Sequence, residues 1–266
     1  MSRRAFIHGL GAAILFAGAA TTARAQPPAP GKPPPPGSPL NRLFTQREPG
    51  SPPIAHFVAG EVEFTFDRSS GQALLQLGRN GEVLALSRSL GPRNAQIFKN
   101  DVGEQVLILT NLGGFTLYTR VNPGGVPASP VPGPAAPIHL ASVRDTDDFA
   151  RRKQLVANRM AAVLGRFVGV GVVENPQAWS LVADELELAA QIFEKNQDQI
   201  KSDPRFQHIN RLLVVEGDQP DVVMIYDTVQ IVIDPDRGVA GRPSSAMIAQ
   251  RLRLNERGST IQALAR

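Results

Sequence analysis

The residues best placed to do chemistry in this 266-residue chain are Gly241-Arg242-Pro243-Ser244-Ser245. A helix starting there exposes backbone N–H groups beside two hydroxyls and a guanidinium, a set suited to a carboxylate or phosphate. Gly241, Arg242, Ser244 and Ser245 are therefore the candidate anion-binding residues. A simpler arrangement, with Ser244 as an N-cap and Arg242 in solvent, accounts for the same residues.

Other chemistry finds less support. His56, His139 and His208 are far apart and lack paired ligand spacing, and the chain has no cysteine. No metal and no cofactor are expected from such a set. Asp145, Asp147 and Asp148 are close enough to hold a hard cation, but they precede a helical run, where capping explains them better. Asp234 and Asp236 bracket Pro235 before Gly238, which marks a turn. Asp184, Glu185 and Glu187 sit on a long helical segment, with a solvated flank as the expectation. Glu61 and Glu63 share a strand face, and a glycosidase would need a second pair across a cleft. Gly169-Val170-Gly171 lacks the third glycine of a dinucleotide turn, since Glu174 stands in its place. Phosphate-loop, H-E-x-x-H and G-x-S-x-G patterns do not occur. A serine–histidine hydrolase would have to arise by convergence in space.

The elements that must position these groups begin after an address. Residues 1–25 combine Arg3-Arg4, a mild apolar run from Phe6 to Thr22 and Ala23-Arg24-Ala25, the form of a cleavable signal. The start Ser2-Arg3-Arg4-Ala5-Phe6-Ile7 resembles the twin-arginine export motif, which implies export in the folded state into the periplasm. The chain carries 28 Lys+Arg and 24 Asp+Glu. Without residues 1–25 the basic count is 25, so no nucleic-acid partner is expected, and the membrane is touched only through an uncleaved signal.

Proline divides the remainder, with 11 residues in 27–53 and 6 in 123–137. Residues 26–53 are expected as an extended proline-rich linker carrying an apolar cluster of Leu40, Leu43 and Phe44. Residues 54–120 alternate apolar and polar positions between turn signals such as Asn80-Gly81 and Gly113-Gly114. That pattern predicts up to six strands in an antiparallel meander or small barrel. Residues 121–140 are expected as a second linker, at a domain boundary.

Over 141–266 the period changes. Phe149, Val156, Met160, Val163 and Phe167 fall on one helical face. A short strand around Val170, a helix from Pro176 to about Ile200, three strands and a final helix near Ser244–Leu254 follow. The order predicts an α+β domain with helices packed on a mostly antiparallel sheet. Trp179 is expected to anchor a helix to the core.

Asn100-Asp101-Val102-Gly103, Leu112-Gly113-Gly114-Phe115-Thr116-Leu117-Tyr118 and Ala240-Gly241-Arg242-Pro243-Ser244-Ser245 resemble segments of an exported bacterial family known as a domain of unknown function. The resemblance implies an envelope protein and supplies no catalytic residues. The expectation is a non-catalytic interaction or ligand-binding protein, its partner an envelope protein or a small anionic ligand. A metal-independent periplasmic hydrolase is the alternative.

Overall fold

A computed structural model describes residues 53–172 and 175–254 of the chain. The expected signal, the 26–52 part of the linker and the Leu40, Leu43, Phe44 cluster lie outside the described residues. Eight antiparallel strands form a closed barrel in chain order. They are β1 (Ile54–Ala59), β2 (Val62–Asp67), β3 (Ala73–Leu77), β4 (Val83–Leu90), β5 (Gln96–Lys99), β6 (Gln105–Leu109), β7 (Phe115–Leu117) and β8 (Val126–Val131). Strand alternation sends Phe57, Phe64, Phe66, Leu75, Leu77, Phe98, Leu107, Leu109, Phe115 and Leu117 inward, and all are buried. Their rings interlock, with Phe57 and Phe115 centroids 4.4 Å apart and Phe66 and Phe98 4.9 Å apart. Eight strands give an interior just wide enough for side chains, and here phenylalanine and leucine fill it.

Two of these strands exceed the six expected, and β8 falls inside the 121–140 stretch expected as a linker. Its Pro127 and Pro130 pair with Thr116 of β7 and Phe57 of β1. Proline removes ladder donors and ordinarily argues against an inner strand. Each neighbouring ladder of β8 is accordingly only three pairs long. The chain then runs along the outer barrel wall, where Asp67, 2% exposed, accepts the Ile138 N–H at 2.9 Å. Burial pushes this carboxyl up, but hydrogen bonds from Ser69 and Ile138 outweigh it and hold the group below its usual range.

The remainder is a mixed layer in the same compact unit as the barrel. It comprises α1 (Thr146–Leu164), β9 (Gly169–Gly171), α2 (Trp179–Lys195), α3 (Gln197–Ser202), β10 (Arg211–Glu216), β11 (Asp221–Ile225), β12 (Thr228–Ile233) and α4 (Ser245–Leu252). Asp145 caps α1 by accepting from Asp148 N–H, as its position before the helical run implies. Asn175 caps a single turn over Pro176–Ala178 ahead of α2. Asn196 breaks the long helix expected to reach Ile200, donating its side-chain amide to the Ile192 carbonyl at 2.8 Å. Phe167 lies beyond the Gly165 stop of α1 and is 81% exposed, so it leaves the helical face expected for it.

The sheet order is β11-β12-β10-β9. β10 pairs parallel with both β12 and β9, and only β11–β12 is antiparallel. The mostly antiparallel expectation is corrected here, because β11 turns back as a hairpin onto β12, which inserts beside β10. A core of Met160, Leu186, Phe193, Leu212, Val214, Ile231 and Ile248 joins these helices to the sheet. Trp179 stacks on Phe149 at 5.0 Å and so anchors α2 on α1.

The outer side of that helix pair is stapled by Arg159. It donates to both Glu194 oxygens, at 2.7 and 2.6 Å, and to Glu187 at 2.6 Å. Both acids stay about two-fifths exposed. Arg159→Gln is expected to lower stability by about 1 kcal/mol, and by less in high salt. Urea denaturation at low and high ionic strength checks it.

Candidate functional site

The barrel and the mixed layer meet at the segment singled out from sequence. Ser244 is the N-cap of α4, its Oγ accepting from Met247 N–H at 3.2 Å. The same residue donates its N–H to Asp101 at 2.7 Å and its hydroxyl to the other Asp101 oxygen. Ser245 repeats the pattern on Glu82, with its N–H at 2.8 Å and its hydroxyl on the second oxygen. Glu82 lies in the β3–β4 turn and Asp101 in the β5–β6 turn, which antiparallel order puts at one end of the barrel. Asp101 is held in place by its neighbour: Asn100 accepts the Glu104 N–H at 2.8 Å and donates to the Glu104 carboxylate at 3.0 Å.

Arg242 closes the arrangement from behind, its side chain 1% exposed. Nη2 reaches Asp184 at 2.9 Å and the Val83 carbonyl at 2.9 Å. Nη1 reaches the Pro243 carbonyl at 3.1 Å and Glu185 at 3.5 Å. Burial works against this charge, but Asp184, Glu185, Glu82 and Asp101 together hold the guanidinium above its usual range. Arg242 is thus sealed rather than solvated. Glu185 is 0% exposed, which corrects the solvated flank expected for it.

Gly241, Arg242, Ser244 and Ser245 are therefore brought together, and the anions they meet are the chain's own carboxylates. Gly241 contributes by its lack of a side chain. A Cβ there would stand 1.7 Å from the Asp234 carbonyl oxygen. Glu82 and Asp101 went unnoticed as site residues because each is a turn acid with no local signature. Glu185 carried a usable signal, since it lies among Leu181, Val182, Leu188 and Ala189, all buried one turn away.

Burial dominates the acid chemistry of this joint. It pushes the Glu185 carboxyl up to about 8, opposed by Arg242 and reinforced by Asp184, Glu82 and Asp101. Burial likewise raises Glu82, against the pull of Arg242 and the Ser245 hydrogen bonds. It raises Asp184 as well, with Arg242 opposing and Glu187 adding to the effect.

Beside the joint is a cleft of about 490 Å³, walled by Gln72, Asp101, Asp218, Arg237, Arg242 and Met247 among others. Arg237 is exposed and has no ion-pair partner among the described residues. His56 and His139 line a different groove with Glu63, where His56 bonds the Thr65 hydroxyl at 2.8 Å. His208 is exposed on the loop before β10. Among the described residues, no group of three or more His, Cys, Asp or Glu is placed to hold a metal ion.

Residues 39–252 match the family model described as a domain of unknown function, DUF4908. The chain belongs to the DUF4908 family. That match ends on Leu252, the last residue of α4, and takes in the DUF4908 barrel, the joint and the mixed layer. Neither a curated protein nor a solved structure matches the chain.

Proposed function

We propose that this DUF4908 chain is an exported, non-catalytic protein of the bacterial envelope that binds a small anionic ligand in the cleft beside the joint. The observation that carries this reading is Arg237. The joint's own cation, Arg242, is already paired with Asp184 and hydrogen-bonded to two carbonyls, whereas Arg237 faces the same cleft with no ion-pair partner among the described residues. A carboxylate or phosphate entering there meets one exposed guanidinium, with Asp218 at the rim limiting how much negative charge the cleft accepts.

Catalysis is the weaker reading, because the joint's acids are committed. Glu82 and Asp101 are bonded to Ser245 and Ser244, and Glu185 is closed to substrate. A serine hydrolase needs a base on its nucleophile, and neither His56 nor His139 lines this cleft. The resemblance of residues 1–25 to an export signal and the proline-rich stretch support an envelope location.

Calorimetric titration of the full chain with inorganic phosphate and with succinate tests the site. Arg237→Ala is expected to weaken binding about tenfold, as for one lost charge-assisted contact, and Asp218→Asn to tighten it. No binding by the wild type at millimolar ligand, or equal binding by Arg237→Ala, defeats the reading.

A further inference from the structure

One guanidinium faces four carboxylates at this joint, and a carboxylate sealed from water without a full partner is far costlier as an anion than as a neutral acid. Three of the four have another way out. Glu82 and Asp101 each accept an N–H and an O–H from the start of α4. Asp184 takes Nη2 of Arg242 and keeps 31% of its side chain in solvent. Glu185 has neither. It is 0% exposed, both of its oxygens lack a hydrogen-bond partner, and its one cation stands at 3.5 Å.

We infer that the junction between barrel and mixed layer is a proton-loaded clasp, in which Glu185 is a neutral acid while the junction is closed and its ionisation releases the start of α4 from the barrel turns. The groups facing Glu185 come from every element packed against it. Arg242 stands on the segment before α4, Asp184 beside it on α2, Glu82 on the β3–β4 turn and Asp101 on the β5–β6 turn. Glu187 acts on Asp184, and Lys195 on Glu82. Arg242 alone favours charge on Glu185, while three acids disfavour it. An added negative charge also repels Glu82 and Asp101, the two acids that hold Ser245 and Ser244.

The direction follows from proton binding. Glu185 moves from an ordinary 4.5 to about 8 in the folded chain, so the closed state holds more protons than the open one between those values. The contribution of Glu185 to closure is full below about pH 4.5 and is lost as pH rises through about 8. The inference concerns the joint's own groups and stands whether or not the cleft takes a ligand.

Hydrogen exchange on the full chain tests it, followed in peptides spanning 241–247 at pH 6 and pH 9.5 after correction for intrinsic rates. Wild-type protection is expected to fall at least about tenfold at the higher pH. Glu185→Gln, uncharged at both values, is expected to stay within about twofold. Equal falls in both proteins, or no fall in the wild type, overturn the clasp. The wild-type Glu185 carboxyl can also be titrated by carbon NMR, which decides the matter even where Glu185→Gln does not fold. A midpoint above 7 supports the clasp, and one at or below 7 overturns it.

Discussion

Arg242→Ala is expected to lower stability by about 3–5 kcal/mol at pH 8, the usual cost of removing one partner from a buried ion pair. The expectation rests on what is left behind. Asp184, Glu185, Glu82 and Asp101 all draw on this guanidinium, and Val83 and Pro243 lose a donor to their carbonyls. Removing the cation raises Asp184, Glu185 and Glu82 further, so the variant folds best with these three protonated. Groups whose folded pKa stands above the unfolded value penalise folding above the unfolded value and cease to do so as pH falls below it. The deficit is therefore expected to shrink toward pH 5. Arg242→Lys should recover less than half of the loss, since one ammonium cannot span two carbonyls and two carboxylates as a planar fork does. Urea denaturation of the three proteins at pH 8 and pH 5 measures all of this. A wild-type midpoint for Arg242→Ala at pH 8 would show that the joint does not depend on its cation.

Much of the barrel was legible because its signal is local. Alternation at Phe64 and Phe66, Leu75 and Leu77, and Phe115 and Leu117 puts one set of side chains inward whatever the rest of the chain does. Closure was not legible. β8 reads as a linker because Pro127 and Pro130 suppress strand propensity, and only the barrel's own curvature makes three-pair ladders on each side sufficient. The helices of the mixed layer follow from their three-and-four spacing and the first stop from Gly165, whereas the break at Asn196, inside the helix expected to reach Ile200, has no breaker residue to announce it. The sheet was misjudged because strand order is not written in strand periodicity. β11 and β12 look like the end of a meander, yet β12 lies between β11 and β10, which makes β10–β12 parallel.

The joint shows the same division between near and far. Ser244 at a helix start, after Gly241 and Arg242, is visible in five residues. Its partners Asp101 and Glu82 lie 143 and 163 positions away from the serines they hold, in hairpin turns where acids are commonplace. The burial of Glu185 could have been found from its four apolar neighbours on α2. What no local pattern carries is that Arg242 would arrive beside it, converting a misplaced acid into part of a cluster. The five residues spell chemistry suited to an anion, while the carboxylates that meet it inside the fold are out of reach of spacing arguments.

Gly241→Ala is expected to cost about 3 kcal/mol, the upper end for forcing extra volume into a packed site. The new Cβ would lie 1.7 Å from the Asp234 carbonyl oxygen, 2.8 Å from its carbon and 3.2 Å from the Arg237 Cβ. Two of those atoms are backbone, so relief requires the segment 235–241 to swing away and stretch the 2.6 Å bond from Asp234 N–H to the Gly241 carbonyl. That movement carries Arg242 with it. Gly238, in the same segment, provides the contrast: nothing stands within 4 Å of its Cβ, and its φ of 54° is the reason for glycine. Gly238→Ala is expected to cost about 1–3 kcal/mol through backbone strain alone, its φ of 54° and ψ of −132° lying outside the left-handed helical region. A double-mutant cycle separates the two mechanisms. When Gly241→Ala acts by displacing Arg242, combining it with Arg242→Ala costs clearly less than the sum of the single losses, whereas Gly238→Ala combined with Arg242→Ala adds to within about 0.5 kcal/mol. Additive losses for the Gly241 pair would mean that this glycine serves the turn and not the joint.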